Sequence, residues 1–580
     1  MILQTTGGFQ HRLPSNNLFA LGPWCGSGNT EPSPNGLGLS HESDIDVESV
    51  SSQLVLQLES TLYPALNALH NVNLAREVWK FSLGTYLRVL TPLLVTRYNL
   101  VQRAISEVNC TAFTDIPVEI ERIVPRDRTE LQALVNSHAW NHYVFSEICR
   151  GLGLAPQGFP EIEPDNDFYW EQPEHHALHR KEFAKTVVQR ACNAVAIRRK
   201  IVVTQTLLPS RIEFGIALKH MSLPVFWRGD ESYSDKVQMN LRTKLYEALP
   251  SSDSFAVTLL AIIIQTLPRL FVEDFARIRT TTKTRLPTKP RVVFTSNLHM
   301  ASDQFLLWLS EARASGTKVV IGQHGGVHCL ARDTPVEARI EVQLADRYLA
   351  WGEFASQVRN GARSPILVNV GFDVKRKREQ SPKKKVLIVL DSPYRYPSPP
   401  RGLNGNRFQY ARMLNALASS KPLHENCQVV MRMYAGAERF DDSLRELLTS
   451  KSTIEFESGA LPIKAVLKSV DLVITTSIGT TMFHTLSSGI PTLVLLEPSL
   501  SPLSNWATAK FSSLEASAVY FSDPRDLLNH LENHSFDLSD WWNSARTTTA
   551  VREFLSEFSL RSEGFLTFYS NQISEVAAVD

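Results

Sequence analysis

The chain has 580 residues, 43% of them hydrophobic, and its 60 Lys and Arg against 59 Asp and Glu leave a formal net charge of +1. At roughly 150 residues per folding unit this is a globular chain of three or four units, long enough to bury a core without covalent staples. A disulfide miniprotein, a collagen and a disordered tail are excluded, and so is a protein whose main task is coating nucleic acid, since such domains carry a strong basic excess.

In chain order, residues 1–42 are rich in Gly, Pro, Ser and Asn and read as a loop-rich segment. The first eight residues lack the basic start and apolar run of a signal peptide, and no stretch reaches about 18 unbroken apolar residues, so a cytoplasmic location is expected. Cys25, Cys110, Cys149, Cys192, Cys329 and Cys427 form no Cys-x-x-Cys pair, which fits a reducing compartment. Residues 50–105 are apolar at helical spacing, as in Leu54, Leu58, Leu62, Leu66 and Leu69, and residues 131–149 and 181–203 repeat that texture. Residues 43–285 therefore read as a mostly helical region. Within it, residues 255–272 are the nearest approach to a membrane span, but Thr258, Gln265, Thr266, Pro268 and Arg269 interrupt them and a buried helix is expected.

From residue 286 the texture alternates. Residues 291–295, 318–321, 347–350 and 366–370 read as strands, with helices at 302–314 and 335–344, so 286–374 is a Rossmann-like unit with a parallel sheet. Residues 375–385, KRKREQSPKKK, hold seven basic residues in eleven and read as a solvated linker, with contact to anionic lipid head groups at the inner face of a membrane as the alternative. A second doubly wound unit follows at 386–525, with strands at 386–390, 428–433, 472–475 and 492–496 and helices at 407–418, 441–448, 463–468 and 481–487. Residues 526–580 read as closing helices, with 541–558 as one long one. The expected fold class is α/β, two Rossmann-like domains facing a cleft, with a largely helical N-terminal region.

Ligands in such sheets sit outside the carboxyl ends of the strands, which singles out three loops. After residue 321 comes Gly322-Gln323-His324-Gly325-Gly326, where glycines permit close backbone approach and an imidazole stands at a strand end, suited to phosphate binding or proton transfer. Its bland reading is a tight turn with a structural histidine. After 475 comes Thr476-Ser477-Ile478-Gly479-Thr480-Thr481, opening onto a helix: hydroxyls and free N–H groups make an anion site, and helix capping by Ser477 or Thr480 is the plainer alternative. It lacks the Lys of a Walker loop and the spacing of a dinucleotide fingerprint. Arg432, ending an apolar strand, suits a phosphate clamp or a structural ion pair equally. Asp303 and Glu341 supply carboxylates near the same presumed cleft, for deprotonating an acceptor or attacking as a nucleophile, against capping or solvation.

The pairs Asp44-Ile-Asp46 and Asp165-Asn-Asp167 match a metal clamp but follow no convincing strand, and His175, His176 and His179 have no partner fixed by spacing, so no metal and no cofactor is expected. His138-Ala139-Trp140-Asn141-His142 reads as core packing rather than a sugar platform. No Gly-x-Ser-x-Gly elbow occurs in the α/β half.

Taken in order, LGPWCG (21–26), LNALHNV with REVWKFSLGTYL, ASDQFLLWLSEARASGTKVVIGQHGG, LADRYLAWGEF, VLIVLDSPYRYPS, VVMRMYAG and TTSIGTTMFHTLSSGIPTLVL resemble a family of transferases encoded in bacterial O-antigen and other surface-polysaccharide clusters. The resemblance covers most of the chain. It implies a glycosyltransferase-B-like arrangement with the nucleotide-activated sugar bound mainly by the second Rossmann-like domain and a glycan or lipid-linked glycan as acceptor. More distantly, the Gln-His-Gly loop and the threonine-glycine helix start look like those of capsule and lipopolysaccharide transferases that use CMP-activated ulosonic acids such as Kdo. His328-Cys329 stands where the family commonly has Tyr-Gly, and Gly352-Glu353 where it usually has Gly-Trp, so an altered acceptor pocket or lost activity is a further expectation. The leading expectation is metal-independent sugar transfer, with Arg432, Ser477, Thr480 and Thr481 stabilising the leaving phosphate. The alternatives are a polyol-phosphate transferase or nucleotide-sugar epimerase on the same scaffold, or a catalytically silent module that binds glycan or a partner.

Overall fold

The computed structural model describes residues 1–8, 18–25, 45–158, 168–170, 192–194, 199–229, 232–249, 254–332, 336–358, 360–364, 383–391, 394–398, 407–433, 448, 454–558 and 564–579. Three sheets organise them, and every paired ladder is parallel.

The carboxyl-terminal sheet runs β12-β11-β10-β13-β14-β15, with β10 Lys384–Val389, β11 Cys427–Arg432, β12 Glu455–Glu457, β13 Leu472–Thr475, β14 Thr492–Leu495 and β15 Tyr520–Phe521. Strand order reverses between β10 and β13, the topological switch point at which such sheets open a crevice. The middle sheet runs β5-β6-β7-β8-β9, from Ile201–Val203 through Val292–Thr295, Lys318–Gly322 and Arg347–Trp351 to Gly361–Ser364. β6, β13 and β14 are buried along their whole length, which is why they read as unbroken apolar runs rather than alternating ones. The strands expected at 291–295, 318–321, 347–350, 386–390, 428–433, 472–475 and 492–496 are present with ends differing by a residue or two, whereas β9, β12 and β15 are not among those expected.

Elsewhere the expectations need correction. The amino-terminal region carries its own sheet, ordered β2-β1-β3-β4, with β1 Ile2–Gln4, β2 Leu18–Ala20, β3 Ala112–Asp115 and β4 Ala155–Gly158. Ile201–Val203, expected to end a helix, is the edge strand of the middle sheet. The long closing helix breaks into Ser539–Asn543 and Ala545–Phe558, because Ser544 Oγ accepts from Thr547 N at 3.3 Å and caps a new helix. A further helix, Phe565–Ala578, returns to the middle sheet and stacks Tyr569 on Phe294 with ring centroids 5.7 Å apart. The basic run is described only from Lys383, and there Lys384 and Lys385 belong to β10 rather than to a linker, with Lys385 N donating to Asp471 Oδ2 at 2.9 Å. The expected strand at 366–370, the pair Asp165-Asn-Asp167, His175, His176 and His179, and all but Leu448 of the expected helix at 441–448 lie outside the described residues.

Asp46, half of one Asp-x-Asp pair, is a helix cap: its Oδ1 accepts from Glu48 N at 3.1 Å and starts the helix Val47–Leu69. The helix Ser254–Gln265 packs into the amino-terminal core, and no helix among the described residues is long and apolar enough to cross a membrane. The switch point of the amino-terminal sheet is filled by side chains: His142 Nε2 accepts from Ile116 N at 3.0 Å, its Nδ1 lies 3.3 Å from Thr5 Oγ1, and Trp24 Nε1 donates to Thr5 O at 3.0 Å. Tyr396, from the loop after β10, docks on this plug with its hydroxyl 2.6 Å from His138 Nδ1.

Burial, with smaller help from nearby Arg150 and His138, pushes the His142 pKa down to about 4 against an ordinary 6.5. The folded state therefore prefers neutral imidazole, the unfolded chain binds more protons between those values, and stability falls as pH drops through that window, by ~3 kcal/mol for a shift of this size. The urea midpoint is expected to decline from pH 7 to pH 4.5, with a shallower decline in His142→Gln. Equal slopes in the two proteins would place the acid sensitivity elsewhere.

Candidate functional site

The site forms where the carboxyl ends of the middle and carboxyl-terminal sheets meet. Gln323 closes the loop after β7 by satisfying backbone on three sides: its Oε1 accepts from Trp351 N at 2.9 Å, its carbonyl accepts from Trp351 Nε1 at 3.0 Å, and its Nε2 donates to Gly325 O at 2.9 Å. It is fully buried, so it shapes the loop instead of touching a ligand directly. The turn it fixes sends His324 outward, with its side chain 22% exposed, and carries Gly325 and Gly326 to the other lobe.

Behind His324 lies Glu341, 0% exposed, on the helix Val336–Leu344. His324 Nδ1 is 3.0 Å from Glu341 Oε1, His299 Nε2 is 3.1 Å from the same oxygen, and His328 Nδ1 is 3.4 Å from Oε2, to which the Tyr348 hydroxyl also donates at 3.2 Å. The rings of His324 and His328 meet edge to face, with centroids 4.6 Å apart. Burial pushes the Glu341 carboxyl up, but the fields of His324 and His328 and its contacts with His299 and His324 outweigh it and hold the group well below the ordinary carboxylate range. A carboxylate so stabilised is a weak base. At 0% exposure Glu341 stands behind His324 rather than facing an acceptor, unlike the deprotonating group the sequence suggests.

On the facing lobe, the helix Thr480–Ser487 begins at Gly479 with no side-chain cap, so neither Ser477 nor Thr480 serves as the cap that the plainer reading expected. Gly479 N donates to Ser477 O at 3.0 Å, and the first-turn N–H groups of Thr480 and Thr481 have no acceptor within their own helix. Thr476 anchors this loop at the switch point, its hydroxyl donating to Val389 O at 2.8 Å and lying 2.5 Å from Tyr410 Oη.

The two loops touch. A Cβ on Gly326 would lie 2.5 Å from Phe483 Cε2 and 3.4 Å from Gly479 O, so only glycine lets them meet this closely. Trp351, ending β8, packs edge-on against Phe483 with centroids 5.6 Å apart. Backbone bonds from Arg332 N to Pro502 O and from Ser504 N to Leu330 O, each 2.9 Å, fix the same seam.

Gln323, His324, Gly325, Gly326, Glu341, Ser477, Gly479, Thr480 and Thr481 are thus brought together. Two candidates are committed elsewhere. Arg432 pairs with Glu457 and donates to Leu461 O at 2.6 Å, the structural ion pair rather than the phosphate clamp. Asp303 is 2% exposed and paired with the equally buried Arg128 at 3.2 Å, with its Oδ2 accepting from Arg128 N at 2.7 Å. That removes it as a base or nucleophile. His299, Tyr348 and Phe483 were missed, although His299 lies just beyond β6 and the carboxyl-end rule applied to that strand would have found it.

The model of the LIC12162 family of transferases matches residues 1–573. The chain belongs to this family. No curated protein matches it. Among solved structures, Acinetobacter baumannii MurG is similar at 13% identity over 65% of this chain and 99% of that one, with a TM-score of 0.31. WaaG, a glycosyltransferase involved in lipopolysaccharide biosynthesis, is similar at 11% over 64% and 99%, TM-score 0.29, and the UDP-GlcNAc 2-epimerase of Neisseria meningitidis at 11% over 66% and 99%, TM-score 0.32. In this LIC12162 family transferase, the departure at His328 adds an imidazole to the Glu341 cluster. At Gly352, φ is +54° and a Cβ would strike Glu557 O at 2.0 Å, so that glycine is required where the closing helix crosses.

Proposed function

We propose that this transferase moves a sugar from a nucleotide donor to a glycan acceptor, with the donor phosphate held where the Gln323–Gly326 turn meets the amino end of the helix Thr480–Ser487. The observation that supports the reading is the contact of Gly326 with Gly479 and Phe483, which brings the turn carrying His324 against the uncapped start of the helix Thr480–Ser487.

In such a transfer an acceptor hydroxyl oxygen bonds to the anomeric carbon while the bond from that carbon to the phosphate oxygen breaks, the electron pair leaves with the nucleotide, and the hydroxyl proton passes to the departing phosphate or to water. Negative charge grows on phosphate oxygens. The helix amino end offers about half a positive charge and fixed donors to such an anion. His324, with its Nδ1 3.0 Å from Glu341 Oε1, has its other ring nitrogen to offer from the other side. The resemblance of the Gln-His-Gly loop favours a CMP-activated ulosonic acid as the donor.

A thermal-shift panel of CMP, CDP, UDP and GDP tests this. One nucleotide, with CMP foremost, is expected to raise the melting temperature by several degrees, since ligand at 100 times Kd adds about 2.7 kcal/mol to the native state. No shift with any of the four overturns the nucleotide-donor reading. A shift followed by product carrying an inverted sugar hydroxyl, with no transfer, would favour the epimerase.

A further inference from the structure

The expectation that no metal takes part rested on the Asp-x-Asp pairs and the histidines near residue 175. The fold gathers a different set. One ligand atom each of His324, His328 and Glu341 lie within 4.8 Å of one another. The two imidazole nitrogens stand 3.0 and 3.4 Å from the Glu341 oxygens. Bonds of about 2.0–2.2 Å to a tetrahedral ion separate neighbouring ligand atoms by roughly 3.3 Å, so the two imidazole–carboxylate contacts match that spacing, and small side-chain shifts close a set spread over at most 4.8 Å around one cation.

We propose that His324, His328 and Glu341 bind a divalent transition-metal cation of the zinc class, with a further coordination position open on the partly exposed His324 side. Two imidazoles and one carboxylate suit zinc, cobalt or iron, whereas magnesium and calcium take all-oxygen shells. Three protein ligands rather than four make an open site of the kind that accepts a substrate oxygen or water. Outer-shell groups stand behind the carboxylate: Tyr348 donates to Glu341 Oε2 at 3.2 Å, and His299 Nε2 lies 3.1 Å from Oε1 without a hydrogen bond, which leaves Oε1 available to an ion. The 0% exposure of Glu341 gives a buried negative charge, which an ion at this position neutralises. His324 supplies the entry side. None of this depends on which substrate the seam takes.

The full-length protein, stripped with chelator and free of nucleotide, is titrated with Co²⁺, and bound metal is counted by elemental analysis after Zn²⁺ loading. One equivalent is expected, with the intense visible band of low-coordinate cobalt, displaced by Zn²⁺. His328→Ala is expected to weaken binding by at least about 100-fold, and Tyr348→Phe, which keeps the ring and deletes only the outer-shell donor, by about 10–100-fold. Absence of a cobalt band and of stoichiometric zinc in the parent protein overturns the proposal, as does unchanged affinity in both variants. Should His328→Ala fail to fold, the parent titration and Tyr348→Phe decide. A failed nucleotide panel alongside an intact cobalt band overturns the donor reading alone.

Discussion

His324→Ala is expected to lower the rate of sugar transfer about 10²–10³-fold, the loss of roughly 2.7–4 kcal/mol that follows removal of one preorganised group facing the developing charge. Its unfolding midpoint is expected to stay close to that of the parent. The imidazole is partly exposed, and its removal leaves Glu341 with His299, His328 and Tyr348 around it, so the buried carboxylate keeps partners. A midpoint that falls in step with activity would make His324 a structural turn residue instead.

The opposite lobe allows a sharper version of the same test. The helix amino end acts through backbone N–H groups, so Thr480→Ala keeps the donor and is expected to cost little, contrary to what a hydroxyl-based site requires. Thr480→Pro deletes the N–H. Proline is well tolerated at the first helical position, and Gly479, at φ −123° and ψ 171°, already has the extended backbone that a following proline demands. Thr480→Pro is therefore expected to fold and to lose phosphate binding. If both variants behave alike, the N–H groups are not the donors.

How much of this was readable beforehand follows from where each feature stores its information. The central strands β6, β13 and β14 are buried on both faces, so each announces itself locally as an apolar run. The edge strands Glu455–Glu457 and Tyr520–Phe521 are short and part-exposed and do not. The amino-terminal sheet left no such mark, because Ile2–Gln4 and Leu18–Ala20 are three residues each, too short for any period to show. Pairing was the least legible. Arg432 finds Glu457 across the sheet edge, and Asp303 finds Arg128 in another folding unit, and nothing local to either residue names its partner. That the loops 322–326 and 476–481 would meet followed from the carboxyl-end rule for parallel sheets, a rule of topology that needs only strand positions, and the contact of Gly326 with Gly479 and Phe483 joins those loops. The buried carboxylate collecting three imidazoles lay beyond that rule, since Glu341 sits within a helix rather than at a strand end.

The Asp303–Arg128 pair yields the largest effect on stability. It ties the helix Arg128–Leu134 of the amino-terminal region to the helix Asp303–Ala314 of the middle sheet, and Arg128 Nη2 also donates to Met300 O at 2.8 Å and His299 O at 3.2 Å, bracing the segment that carries His299 to the site. Asp303→Ala strands a guanidinium that is 1% exposed, a change expected to destabilise by about 3–5 kcal/mol, read as a lowered urea midpoint. The double variant Arg128→Met with Asp303→Leu removes both charges and is expected to recover part of that loss, since an apolar pair needs no ion desolvation but leaves Arg128 N, Met300 O and His299 O without these partners. Transfer per folded molecule should change little in the double variant. The opposite pattern, with Asp303→Asn keeping the parent midpoint and abolishing transfer, would return Asp303 to the chemistry and make its contact with Arg128 incidental.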